Sequence, residues 1–197
     1  LAKSKPTAAE LPVILFATPA EWAAWLDAHA ADAPGIWVRL GKKNAGLTSI
    51  DYAQAVEGAL CYGWIDGLKR KYDDASWIQK FTPRRAKSIW SKINREKAQA
   101  LIDSGQMQPA GLAAIEAAQA DGRWDAAYDS QSNATVPEDL QAALDANAKA
   151  KAFFATLNST NRYAILFRIH QAKRPATRTK RINDFITMLE KHEKIYP

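Results

Sequence analysis

The spacing of apolar positions along this chain changes near Ser88. Before it, short alternating runs are interleaved with helical stripes; after it, almost every segment repeats at three and four residues. Pro12 to Ala17 and Gly35 to Leu40 predict strands, the second with Ile36, Val38 and Leu40 alternating against Trp37 and Arg39. Between them, Thr18-Pro19-Ala20-Glu21 is a helix start: Thr18 caps, Pro19 suits the first turn, and Glu21 reaches back to the cap. Trp22, Trp25 and Leu26 then share one face. Thr48-Ser49-Ile50-Asp51 opens a second helix, with Tyr52, Val56, Ala59 and Leu60 as its buried stripe and Gly63 at its end. Trp64 and Ile65 begin a strand, and Lys69 to Tyr72 with Ser76 to Phe81 read as a hairpin turning at Asp73-Asp74.

The rest is helical. Ser91 to Ser104, Pro109 to Asp121, Pro137 to Asn147, Lys149 to Leu157, Thr160 to Ala172 and Thr177 to Lys191 each carry an apolar stripe, and Gly105 and Gly122 close the first two. Gly122 to Val136 is the longest stretch without periodicity and is read as a mobile loop. Strands first and helices afterwards predict an α+β fold: a small mixed or antiparallel sheet with helices, followed by a C-terminal helical unit. The expected organisation is a flexible start over residues 1–10, a mixed α/β unit over 11–90, and a helical unit over 91–197 packed on it as one compact domain.

Charge adds one thing to this picture. The net +6 is uneven, running −2 over residues 1–67, +7 over 68–97, −4 over 98–167 and +5 over 168–197. Two basic blocks around an acidic one make an anion-facing surface if they meet in space, and two solvated cationic faces if they do not. No apolar run is long enough for a membrane-spanning helix. The polar start, with Lys3, Lys5 and Pro6, has no apolar leader core, so a cytoplasmic, reducing location is expected; the chain begins at Leu1, which leaves open a leader removed upstream. The single cysteine, Cys61, supports neither a disulfide nor a structural zinc site, and reads as a buried thiol.

Several chemistries are missing. The chain has no glycine-rich phosphate loop, no dinucleotide fingerprint, no nucleophile elbow and no zinc-protease helix. His29, His170 and His192 have no metal-ligand spacing, so no metal or cofactor is expected, nor a catalytic residue.

Three segments could carry function. In Gly63-Trp64-Ile65-Asp66-Gly67, Trp64 and Asp66 lie two apart on an extended segment and point to one side, where a ring and a carboxylate could hold a ligand. The alternative is a core Trp64 and an Asp66 that caps a turn or pairs with an arginine. Phe81 to Asn94 brings Arg84, Arg85, Lys87 and Lys92 beside a helix start, with Trp90 and with Asn94 interrupting the apolar stripe. Helix N-terminal amides and arginine forks bind anions; solvated cations and a serine cap are the plain alternative. In Lys173 to Ile182, Arg178 lies four before Ile182 and shares its buried stripe, whereas Lys180 points away. Asp66 or Glu57 is a reasonable partner for Arg178, or else a bound anion.

These segments together resemble the bacterial YdeI/OmpD-associated family, also described as bacteriocin-protection proteins. The resemblance rests on Glu57 to Gly67, on Phe81-Thr82-Pro83-Arg84-Arg85 with Ser88, Trp90, Ser91 and Asn94, on Gly105 to Gly111, and on Ala172-Lys173-Arg174 with Thr177, Arg178, Lys180, Arg181 and Ile182. It runs over roughly residues 11–191. It implies a role in tolerance to bacteriocins or cationic antimicrobial peptides and association with an outer-membrane porin, and supplies no reaction, substrate or catalytic residue. Some members are predicted to be periplasmic. A basic chain repels cationic peptides, which argues against direct capture.

The sequence therefore points to a stress-tolerance-type protein that binds an anionic small molecule in a basic, aromatic cleft between the mixed and helical units. The ligand-binding candidates are Trp64, Asp66, Arg84, Arg85, Lys87, Trp90, Asn94 and Arg178. The alternatives are a nucleic-acid-binding protein and an enzyme using Asp66 or Glu57 as acid or base on an anionic ligand. A protein partner is a further possibility.

Overall fold

The computed structural model describes residues 11–197; the expected flexible start, residues 1–10, lies outside them. The chain forms two compact units that part between Ala127 and Tyr128.

The first unit contains strands β1 (Val13–Leu15), β2 (Ile36–Gly41), β3 (Trp64–Lys71) and β4 (Ser76–Pro83), with helices α1 (Pro19–His29), α2 (Tyr52–Cys61), α3 (Lys92–Asp103) and α4 (Pro109–Ala120). The sheet order is β1-β2-β4-β3; β1 and β2 are parallel, and the other two pairs are antiparallel. Parallel neighbours need a crossover, which α1 supplies. In the β2–β4 register Ile36 faces Phe81, Trp37 faces Lys80 and Val38 faces Gln79, so period two sends Ile36, Val38 and Phe81 to the helix-covered face. That face packs Trp22 and Leu26 of α1 and Val56 and Leu60 of α2 into one core. Ala98 and Leu101 of α3 and Ile115 and Ala118 of α4 belong to the same core. Apolar stripes show that these helices bury a face; they do not show which core receives it.

Local chemistry fixes the helix starts. Thr18 accepts from the Glu21 amide, and the Glu21 carboxylate accepts from the Ala17 amide. Asp51 and Gln54 form a reciprocal capping box, and Ser91 caps α3. One expectation about α2 fails: Tyr52 is not buried but 44% exposed. As the first residue of the helix it leans on Trp77, and its hydroxyl donates to Asp66, which keeps its polar tip outside the core.

The second unit is helical: α5 (Glu138–Asp145), α6 (Ala148–Thr156), α7 (Ser159–His170) and α8 (Pro175–Glu190). Leu140 and Leu144, Phe154, Ile165 and Ile169, and Ile182 and Leu189 bring all four stripes into a single core. Buried Asn161 exchanges hydrogen bonds with the backbone of Tyr196 and so ties the chain end to α7. Among the described residues no helix is long and apolar enough to cross a membrane.

Candidate functional site

A cavity of about 180 Å³ in the second unit gathers the most varied chemistry. Its walls are Tyr128 and Asp129, Thr135 and Pro137, the α7 residues Tyr163, Phe167 and His170, and Arg178 from the first turn of α8. On α7, Tyr163, Phe167 and His170 fall at offsets of four and seven, hence on one face. Phe167 is held edge-on by Tyr128 at 5.0 Å and tilted against Tyr163 at 5.8 Å. The Tyr163 hydroxyl donates to the Asp129 carbonyl at 2.9 Å. Burial, then the neighbouring Tyr128 and Asp129, push its phenol above the ordinary range, so it stays a donor.

Arg178 is the fixed cation of this wall. Its Nε and Nη2 donate to the two carboxylate oxygens of Asp139 at 2.5 and 2.8 Å, and its Nη1 donates to the Ile169 carbonyl at 3.1 Å. The hydrogen bond from Arg178, together with its charge, holds the Asp139 carboxyl below the usual aspartate range against a partial burial cost. A guanidinium carries five N–H bonds, so two remain uncommitted within the described residues.

Residues 133–192, which include Thr135, Tyr163, His170 and Arg178, match the family model described as bacteriocin-protection, YdeI or OmpD-associated. Residues 14–114, just over half of the chain, match a second model, a domain of unknown function (DUF8412). The chain belongs to the DUF8412 family and carries a YdeI/OmpD-associated, bacteriocin-protection domain. No curated protein and no solved structure matches it. The resemblance read from the sequence is thus matched where Ala172 to Ile182 fall. The segments at 57–67 and 81–94 fall under the DUF8412 model instead.

Seven of the eight sequence candidates lie in the DUF8412 unit, and Arg178 in the YdeI/OmpD-associated one. Trp64 is buried, and its indole donates to the Ala30 carbonyl at 3.2 Å. Asp66 is half-buried and accepts the Tyr52 hydroxyl at 2.7 Å. The Arg84 guanidinium lies 3.5 Å from the centroid of buried Trp90 and donates to the Ile89 carbonyl. Arg85 and Lys87 are exposed, and the Arg85 backbone turns on Ser88. Asn94 is half-buried, and its amide completes the Ser91 cap. Trp64 and Asp66 do share the strand face the sequence assigned them, because alternate residues of β3 oppose Pro83 and Phe81. The expected partners of Arg178 are corrected: Asp66 is taken by Tyr52, Glu57 is ion-paired with Lys97, and Asp139 holds Arg178.

Sequence reasoning reached Arg178 of the cavity and missed Tyr128, Asp129, Thr135, Tyr163 and His170. One signal was available, the Tyr163, Phe167, His170 face, a polar-tipped aromatic stripe ending in an imidazole. Asp129 and Thr135 sit in the stretch without periodicity, and nothing local marks them. Among the described residues no cluster has the His, Cys and carboxylate composition of a metal site.

Proposed function

We propose that this bacteriocin-protection-type protein binds a small anionic molecule in the cavity walled by Arg178, His170, Tyr163 and Tyr128. The observation that carries the reading is the posture of Arg178. Asp139 and the Ile169 carbonyl hold the guanidinium on the wall, with two N–H bonds uncommitted among the described residues. A cation held in advance loses little freedom on meeting a carboxylate or phosphate. Phe167 and Leu166 give the same cavity an apolar side, which suits the body of a small organic acid. Its volume of about 180 Å³ limits the ligand. Sites for drug-sized molecules span roughly 300–1,000 Å³, so a whole nucleotide is disfavoured and a compact acid is favoured.

Nucleic acid has one observation in its favour, the exposed Lys69, Arg70 and Lys71 in a row on β3. The adjoining rings are already engaged: Lys69 lies over Trp77 at 4.0 Å and Arg70 over Trp37 at 4.8 Å. Bases would have to displace the chain's own cations to stack there.

The test is a thermal-shift titration with acetate, benzoate and inorganic phosphate at low and moderate salt. A ligand at one hundred times its dissociation constant adds about 2.7 kcal/mol. The reading expects a saturable rise with at least one of these probes, reduced in His170→Gln and Arg178→Lys. Failure of every anionic probe, or a rise left intact in both variants, overturns it.

A further inference from the structure

The second basic block, +5 over residues 168–197, is only partly used by Arg178. A groove of about 430 Å³ between the last turn of α7 and the second and third turns of α8 holds two more of its arginines, Arg168 and Arg181. The end of α7 explains why Arg181 sits there. The Ala172 amide bonds the Ile169 carbonyl rather than that of Arg168, which a continuing α-helix would have used. Arg181 Nη1 donates to the Arg168 carbonyl in its place. Arg168 Nη1 donates to the Ala164 carbonyl at 3.3 Å. These two acceptors are four residues apart, hence about 6 Å along α7 and on one side of it.

Each guanidinium spends one N–H on its carbonyl, and the rest of each fork has no hydrogen-bond partner among the described residues. Arg168 also lies over the Tyr196 ring, 5.7 Å from its centroid. The carboxylate in the groove, Asp184, is ion-paired with Lys180 at 2.8 Å. The carbonyl end of a helix carries only about half an elementary charge, which two arginines outweigh. A carboxylate ligand would bring a single negative charge to this pair. A phosphate monoester brings about −1.5 to −2 at pH 7 and three acceptor oxygens, enough to engage both forks.

The remaining walls are Gln171 and the rings of Phe167 and Phe185. Both rings are half-buried, so part of each stays open to a ligand. Phe185 lies four after Arg181 and therefore beside it on α8. The volume falls within the roughly 300–1,000 Å³ of small-molecule sites. We propose that this groove binds an aryl phosphate, its dianion bridging Arg168 and Arg181 and its ring against Phe185. The site is separate from the anion cavity, with Phe167 common to both walls.

The experiment is an NMR titration of the full, isotope-labelled chain with phenyl phosphate, benzoate and inorganic phosphate, read on the arginine Nε–H signals and the Phe185 ring. Phenyl phosphate should perturb Arg168, Arg181 and Phe185 with a dissociation constant of about 1 mM or tighter. Benzoate keeps the ring with one charge, and inorganic phosphate keeps the charge without the ring, so each should bind there several-fold more weakly. Arg168→Gln and Arg181→Gln should each weaken phenyl phosphate by about tenfold or more. Arg181→Lys, which keeps the charge and the reach to the Arg168 carbonyl but loses the fork, should weaken it as well. Arg174→Gln removes the same charge from the exposed start of α8 and should leave the affinity unchanged. Arg168 and Arg181 signals that stay unmoved, an equal affinity for benzoate or inorganic phosphate, or equal weakening by Arg174→Gln each overturns the proposal.

Discussion

Arg178 and Asp139 meet through two parallel hydrogen bonds, at 2.5 and 2.8 Å, that join the first turns of α8 and α5. Each side chain keeps part of its surface in water, 29% and 45% respectively, so screening limits the contribution of the pair. Asp139→Asn should therefore cost about 0.5–1 kcal/mol of stability in urea titrations at neutral pH. The pH dependence has a definite sign. Because the Asp139 carboxyl is held below its ordinary range in the folded state, its stabilisation is complete above the ordinary aspartate pKa. It is lost as pH falls through the depressed value. Melting curves down an acid series should show a smaller acid-side loss in Asp139→Asn than in the wild type. Equal losses would remove the pair from the account.

Arg84 and Trp90 give a prediction that separates structure from binding. The guanidinium sits 3.5 Å from the ring centroid, and Trp90 in turn meets Trp124 edge-on at 4.9 Å. A desolvated cation–π contact of this kind contributes about 1–2 kcal/mol. Arg84→Ala should lower the unfolding free energy in urea titrations by that amount and change the near-ultraviolet circular dichroism of the tryptophans. It should leave the response to anionic ligands unchanged. A lost ligand response in a normally folded Arg84→Ala would move the anion site into the DUF8412 unit.

Two glycines should behave differently from each other when replaced by alanine. A Cβ at Gly111 would lie 2.3 Å from the Cys61 carbonyl oxygen and 2.8 Å from that of Leu60, both backbone atoms at the end of α2. A Cβ at Gly58 would lie 2.6 Å from Cδ1 of the Trp22 ring, a buried side chain, with no backbone atom in the way. Alanine favours a helix over glycine by about 1 kcal/mol, while overpacking typically costs about 1–3 kcal/mol. Gly111→Ala should be the more damaging, since α4 must move bodily. Denaturant titration of both variants checks the order, and Gly58→Ala as the worse of the two would contradict it.

The elements were legible because their signals are local. Thr18, Asp51 and Ser91 announce helix starts within four residues, and alternation over Ile36 to Leu40 identifies a strand whatever surrounds it. The α+β class follows from the order of such signals. Pairing between distant residues was not legible. Arg178 showed that it faced the protein through its spacing to Ile182, yet its partner Asp139 lies 39 positions away, and the sequence pointed to Asp66 or Glu57 instead. For the same reason α3 and α4 could not be assigned to the sheet's core from their stripes. The cavity residues divide in the same way: Tyr163 and His170 share a readable helical face, while Asp129 and Thr135 arrive through loop geometry that no period encodes.

Cys61 closes the set with a chemical test of burial. The thiol is 7% exposed and sits at the end of α2; burial first, and the Glu57 carboxylate second, push its pKa above the ordinary cysteine value. Since the thiolate is the reacting form, native protein should react slowly with an aromatic disulfide reagent at neutral pH and faster in urea. The rate should also climb at higher pH than for a free thiol. Glu57→Gln removes the second cause and leaves the first, so the pH profile should shift part of the way down. If the profile does not move, burial alone sets the thiol. If it returns to that of a free cysteine, the carboxylate outweighs burial and the order of causes is reversed.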